Sequence, residues 1–311
     1  MNRRVKAVKP FLYPKNSNFK IAPYEAWKAV GGAVTKDRPY EKWYESLSYH
    51  IDLPNLWRDD EVRLRFVEGA CVKFDTFPDY LTHEVIPVIW DCWPSLFDNM
   101  SRWFGKHKVR TAFFTSSQTG ERMRRIYPDV NIIHLPEAIE TDLYKEGRLL
   151  RERKYDYLEF GRVCNYVDSS ALPTIVNILS SKNEDGALKT REMLIDALSD
   201  SKITICLPRC VNQPEIAGDV ETLTQRYWEC MLSRVVILGK APKELIDIIG
   251  YDPVVNLDKE HFSQQVEDIL CHIEDYQPLV DKNREMALKY GDWKTRMQFV
   301  KKKLTELEYT V

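Results

Sequence analysis

Two carboxylates, Glu221 and Glu229, stand with seven residues between them in GDVETLTQRYWECMLSRVVILGKAP, just ahead of a short apolar run. Helical residues turn by about 100° and rise about 1.5 Å each, so the second acid would return to within about 80° of the first, about 12 Å along the axis. Acids so placed can touch opposite ends of one elongated ligand, or they can lie on a solvated face that the helix dipole favours. Thr222 followed by Gln225 fits a capping box, which predicts a helix from about Leu223 with Glu221 in the loop before it and Glu229 about two turns on. That helix would follow a strand at Ile203 to Leu207, and in open α/β sheets ligands bind beyond the carboxyl ends of the strands. Free N–H groups at its start would suit a diphosphate.

Other candidates share such strand-end positions. The run LEFGR ends in Gly161 and Arg162, ITICLPR ends in Arg209, and Gly239, Lys240 and Ala241 follow VVIL. The last three could approach a nucleotide through backbone groups or form a tight turn. Thr222 and Thr224 flank the predicted helix start as further candidates for contact with the same ligand. In IPVIWDCW, Asp91 closes a strand, where it could cap a helix beginning near Pro94. Trp90, Trp93, Trp103 and Phe104 fit a core or an apolar face for a sugar or lipid, and Lys106, His107, Lys108 and Arg110 a solvated cluster or a phosphate contact. Ser116 and Ser117 read as caps of the next helix, or as acceptor ligands.

The elements that would position these residues alternate short apolar runs with longer helical segments, the grammar of parallel strands joined by crossover helices. Strands are expected at Val5 to Leu12, Ala70 to Phe74, Val85 to Trp90, Thr111 to Thr115 and Asn131 to Leu135. A second set is expected at Tyr155 to Phe160, Ile203 to Leu207, Val235 to Leu238 and Val254 to Leu257. Helices are expected around Pro23 to Val30, Arg38 to Tyr49 and Pro94 to Phe104, with one or two closing helices at the end of the chain. The charge-rich stretch after Leu135 reads as an interdomain connection, placing a boundary near Leu149, with domains 1–148 and 149–311.

With 311 residues and 44% hydrophobic residues the chain can bury a large core, and a formal charge of -2 gives no global field for nucleic acid. Seven dispersed cysteines form no CxxC pair or Cys/His cluster, so zinc is not expected and free thiols of a reducing cytoplasm are. The amino terminus does not read as a signal peptide, and no 18-residue apolar run suggests a membrane span. The Lys301 to Lys303 run fits a solvated face or a peripheral contact at the inner face of the membrane.

The Glu221/Glu229 element followed by CMLSRVVILG resembles the donor-site signature of retaining glycosyltransferases of the GT-B fold. More particularly, the stretch from Thr224 to Asp258 resembles the CgeB-type, group 1 (family 4-like) glycosyltransferase domain of bacterial surface-polysaccharide and spore proteins. The resemblance implies an α/β protein of two Rossmann-like domains facing across a cleft, with acceptor on the amino-terminal half and a nucleotide-diphosphate sugar on the carboxyl-terminal half. It implies transfer of a hexose to a hydroxyl of a glycan, lipid-linked glycan or other acceptor, with no cofactor and no metal. Glu229 would then bind the ribose hydroxyls, Glu221 would lie near the sugar and diphosphate, and Arg162 would neutralise the leaving diphosphate. Arg234 and Val236 replace the usual glycine and proline, no lysine follows Arg162, and Asp91 stands where many relatives carry a histidine near the donor sugar, which implies contact with sugar hydroxyls or the acceptor if it does not cap the next helix. Arg209 or Arg226 would compensate for the lysine. These departures motivate two alternatives: a noncatalytic nucleotide-sugar or glycan-binding protein of the same fold, and a nucleotide-sugar epimerase.

Overall fold

The structure, a computed structural model, describes residues 3–10, 18–36, 42–51, 53–56, 60–161, 166–180, 188 and 190–311. In chain order its first elements are β1 (Arg4–Ala7), α1 (Ile21–Ala29), α2 (Lys42–His50), β2 (Glu61–Glu68), α3 (Val72–Thr76), α4 (Asp79–Thr82), β3 (Glu84–Trp90), α5 (Pro94–His107), β4 (Thr111–Phe114), α6 (Ser117–Ile126) and β5 (Asn131–His134). There follow β6 (Tyr155–Glu159), β7 (Ile178–Ser180), α7 (Arg191–Ser199), β8 (Ser201–Cys206), α8 (Arg209–Asn212), α9 (Pro214–Ala217), α10 (Gln225–Leu232), β9 (Val236–Gly239), α11 (Lys243–Ile249), β10 (Val255–Asn256), α12 (Phe262–Cys271), α13 (Gln277–Tyr290) and α14 (Trp293–Glu306).

The chain divides into two compact units, 1–136 with 215–220 and 293–311, and 137–214 with 221–292. The division thus falls earlier than the boundary expected near Leu149, and α14 belongs to the first unit rather than the second.

All pairings in the first sheet are parallel, in the order β1-β2-β3-β4-β5. A sheet wound in one direction by right-handed crossovers carries its connecting helices on one face. There Val85, Ile89 and Phe114 pack with Val72, Met100, Phe104 and Met123 from α3, α5 and α6. The opposite face needs cover from elsewhere. Trp90 of β3 meets Trp293 of α14 with ring centroids 5.7 Å apart, and α14 packs on α1.

The stretch Ala70 to Phe74, expected as a strand, is a 3-10 turn (Gly69–Cys71) running into α3. The strand is instead β2, whose sequence EVRLRFVE conceals it: Arg63 and Arg65 are buried beside Val62, Leu64 and Phe66. Asp79 lies 3.3 Å from Arg65, and the carbonyl of Asp75 accepts from the Arg65 Nε. Buried guanidinium groups persist only with such partners. The remaining expected strands form close to their expected ends, β1 and β10 being shorter, while β7 was not anticipated.

The second sheet is also fully parallel, in the order β10-β9-β8-β6-β7. Strand alternation sorts its two cores: Ile203, Ile205 and Leu207 face Phe262 and Val266 of α12, whereas Cys206 joins Tyr227, Cys230 and Met231 of α10. Among the described residues no helix is long and apolar enough to cross a membrane.

Candidate functional site

In the second unit β7 lies on one side of β6 while β8, β9 and β10 follow on the other, so strand order reverses between β6 and β8. Ligands bind outside the carboxyl ends of strands at such a point. These ends deliver Phe160 and Gly161 after β6, Arg209 after β8, and Gly239 and Lys240 at β9. Arg162 lies outside the described residues.

Glu221 lies in the loop before α10, as expected, but its carboxylate is engaged. Oε2 accepts the backbone N–H of Lys243, the first residue of α11, at 2.9 Å, and Oε1 pairs with Lys240 Nζ at 2.7 Å. That bond raises the Lys240 pKa. The contact is reciprocated: Glu244 of α11 accepts the buried N–H of Leu223 at 2.8 Å. Two carboxylates thereby satisfy donors that the loop and helix start would otherwise leave open.

The helix begins later than the capping box predicts. Thr224 occupies the N-cap of α10 without a side-chain bond, Thr222 is buried beside it, and the N–H of Gln225 donates to Glu137 at 3.1 Å. A distant carboxylate has replaced the local cap. Glu229 therefore sits about one turn inside, where its Oε1 accepts the Tyr144 hydroxyl at 2.8 Å. Burial, then the charge of Glu229, pushes the Tyr144 pKa up, so the hydroxyl stays a donor. Glu229 Oε2 shows no hydrogen bond among the described residues and remains an acceptor for a ligand hydroxyl. The structure thus assigns the two glutamates different surroundings, one against α11 and one against Tyr144.

Gly161 adopts φ +66°, and a Cβ there would overlap Nη2 of Arg226 and lie 2.9 Å from its Cζ. The guanidinium rests over the Phe160 ring at 5.1 Å. Arg209, the first residue of α8, bonds Gln213 just past the end of that helix, through its Nε at 3.0 Å. Gly239 is required by strand approach: a Cβ would overlap the Cys206 carbonyl oxygen and lie 2.9 Å from its carbon, and its own carbonyl already accepts Leu257 N–H. Its carbonyl is therefore committed to strand pairing. Lys240 donates its backbone N–H to Cys206 and accepts Tyr227 Oη–H at 2.6 Å.

Arg234, standing where the resemblance implies glycine, adopts φ +56° just past the end of α10. Glycine favours that left-handed position. Here an arginine occupies it and gains partners, Asp281 and Glu146, the latter at 3.1 Å.

In the first unit, Asp91 is exposed at the carboxyl end of β3 with φ +49°. It does not occupy the N-cap of α5, which is Trp93. Burial raises the pKa of neighbouring Glu68, with Asp91 and Asp75 adding to the rise. Trp90, Trp93, Trp103 and Phe104 are all core residues, so none offers an exposed sugar platform. His107 is also buried, its ring 4.3 Å from Tyr80, which removes it from the basic cluster. Ser116 caps α6 through Thr119 N–H.

Sequence reasoning missed Tyr144, Glu137 and Glu244. The first two lie in or beside a stretch whose charge density reads as linker, and the third in an ordinary helix start. No local pattern marks residues whose partners are 85, 88 and 21 positions away.

No family model matches the sequence, and no curated protein sequence does. Solved structures do match. The Anabaena protein HepE in complex with UDP-glucose superposes with a TM-score of 0.60 at 8% identity, covering 97% of this chain and 99% of that one. AviGT4, a glycosyltransferase involved in avilamycin A biosynthesis, gives 0.54 at 12% identity with 98% of each chain covered. Sucrose-phosphate synthase from Thermosynechococcus elongatus gives 0.55 at 11%, covering 95% and 80%. At these identities the likeness establishes the fold, and the two-sheet α/β architecture is the GT-B fold that these structures share.

Proposed function

We propose that the chain is a glycosyltransferase that moves a hexose from a nucleoside-diphosphate donor to an acceptor hydroxyl, with retention of anomeric configuration and without a metal ion. The observation that carries this reading is Glu229 on α10, about one turn from the Arg226 that reaches the end of β6 at the strand reversal, with one carboxylate oxygen held by Tyr144 and no hydrogen bond to the other among the described residues. A carboxylate in that state can accept from a ribose diol. That HepE was solved with UDP-glucose supports the same donor class here. The resemblance from Thr224 to Asp258 supports a glycan or lipid-linked glycan as acceptor, in bacterial surface-polysaccharide or glycoconjugate synthesis at the cytoplasmic side.

In this reading the C1–O bond to the diphosphate breaks with its electron pair going to phosphate oxygen. The acceptor oxygen bonds to C1, and its proton leaves with the diphosphate. Arg162, Arg209 and the open end of the second sheet would stabilise the developing charge, Thr222 and Thr224 would lie along the donor, and Asp91 would serve the acceptor. The first unit would supply the acceptor side.

The engagement of both Glu221 oxygens favours one alternative: a protein that binds the donor without transferring it. A thermal-shift panel of UDP-, GDP-, ADP- and dTDP-sugars on the wild type, Glu229→Ala and Glu221→Ala addresses binding, and release of nucleoside diphosphate addresses turnover. At least one donor should stabilise the wild type and lose its effect in Glu229→Ala. Unchanged ligand shifts in that variant reject the ribose role. Binding with neither transfer nor donor hydrolysis selects the alternative, whereas turnover abolished by chelator and restored by magnesium rejects metal independence.

A further inference from the structure

The guanidinium of Arg226 occupies an unusual place. It lies at the carboxyl end of β6, next to the strand reversal, over Phe160 and in the space that a side chain at position 161 would fill. Other cations of this unit have partners: Lys202 has Asp156 at 2.6 Å, Arg191 has Glu140 at 2.6 Å, Arg234 has Asp281, and the buried Arg153 donates to the carbonyls of Ser201 and Ser233. Arg226 has no ion pair or hydrogen bond among the described residues. A partly desolvated, permanently charged group without a counter-charge is unfavourable unless an anion arrives to meet it. The Phe160 ring, 5.1 Å away, attracts the cation without using its N–H groups.

We propose that Arg226 binds the diphosphate of the donor, replacing the lysine that the chain lacks after Arg162. The inference rests on the donor-binding reading above and adds a residue to it. Gly161 is then a specificity-determining position in its own right, because only the absence of a Cβ lets the guanidinium reach the strand end. The helix that presents Glu229 to the ribose would carry, three residues earlier, the group that meets the phosphates. Sugar and leaving-group contacts would thus share one rigid element.

Isothermal titration of the full chain with UDP, GDP and ADP, and with uridine, guanosine and adenosine, tests this. The wild type should bind one diphosphate more tightly than its nucleoside. Arg226→Met should weaken that diphosphate about tenfold to a hundredfold, the loss of charge-assisted hydrogen bonds, and leave the nucleoside within about twofold. Arg226→Lys should fall between them. Gly161→Ala, whose methyl group meets the movable end of Arg226 and which also places an alanine at φ +66°, should reproduce part of the diphosphate loss and leave the nucleoside within about twofold, in a chain whose residue 226 is intact. Should Arg226→Met not fold, the lysine and Gly161→Ala variants carry the same comparison. Wild-type diphosphate affinity in Arg226→Met or in both other variants overturns the role of Arg226 and leaves the donor reading standing. A wild type that prefers no diphosphate over its nucleoside overturns both.

Discussion

Removing the Glu221 carboxylate separates a structural role from a chemical one. Glu221→Ala deletes the acceptor for Lys243 N–H at the start of α11 and the partner of Lys240, whose side chain is 54% exposed. Loss of a helix-capping acceptor costs about 0.5–2 kcal/mol, and an ion pair to so exposed a lysine adds about 0.2–1 kcal/mol. The expected destabilisation is therefore about 1–3 kcal/mol, or roughly 2–4 °C in Tm for each kcal/mol in a unit of this size. Glu221→Gln keeps an oxygen for Lys243 and loses only the ion pair, so it should stay within about 1 kcal/mol of the wild type. Trp228 is the tryptophan of the second unit, but six of the other seven lie in the described first unit, so urea melts followed by fluorescence mix the two. Amide hydrogen exchange at Lys243 and Leu223 resolves the site directly. Exchange at both should quicken in Glu221→Ala, since the Glu244 contact to Leu223 holds the same loop. Wild-type stability and unchanged exchange in Glu221→Ala would refute the clasp. Loss of sugar transfer in the glutamine variant, with stability and exchange preserved, would assign Glu221 a chemical role as well.

Tyr144→Phe removes the donor that holds Glu229 Oε1; it should cost about 1 kcal/mol and reduce, without abolishing, the stabilisation given by a bound nucleotide sugar, as read by thermal shift. Arg153, buried, donates to the carbonyls of Arg148, Ser201 and Ser233 at 2.8–3.0 Å, and Arg153→Met should lower stability by about 2–4 kcal/mol in urea denaturation because those carbonyls lose their donor. Burial and the charge of Glu84 push Tyr309 up to about 12, from an unfolded value near 10. Its contribution is complete below about pH 10 and lost as pH rises through about 12, so Tyr309→Phe should flatten the decline of stability across that window in denaturation measured at stepped pH.

Hydrophobic periodicity made most strands legible, because a buried parallel strand is a short apolar run wherever it occurs. It failed at β2, where buried arginines carry the alternation that apolar residues usually carry, and at β7, which is only three residues long. The capping box was also misleading. Thr222 and Gln225 have the right types and spacing, but the carboxylate of Glu137, from outside the local sequence, takes the first N–H and moves the helix start. Residue type and spacing suffice to single out Glu229 as a candidate; its partner Tyr144 is not legible, because it belongs to a stretch with no periodicity.

That stretch is where the expected boundary and the observed division part. Its polar and charged side chains read as solvated linker, yet several point at the helix that carries Glu229. Glu137 meets the first N–H of α10 through its side chain and the Trp228 indole through its carbonyl. Tyr144 meets the glutamate itself, Glu146 pairs with Arg234, and Arg153 takes the Ser233 carbonyl at the far end. Helix termini leave backbone donors and acceptors open, and only polar partners can close them when the ends are not in water. A segment that braces a buried helix at both ends must therefore be polar, and hydropathy cannot distinguish it from one that braces nothing. The residues from 137 to 153 belong to the second unit for this reason, and the glutamate on α10 is held by them as much as by its own helix.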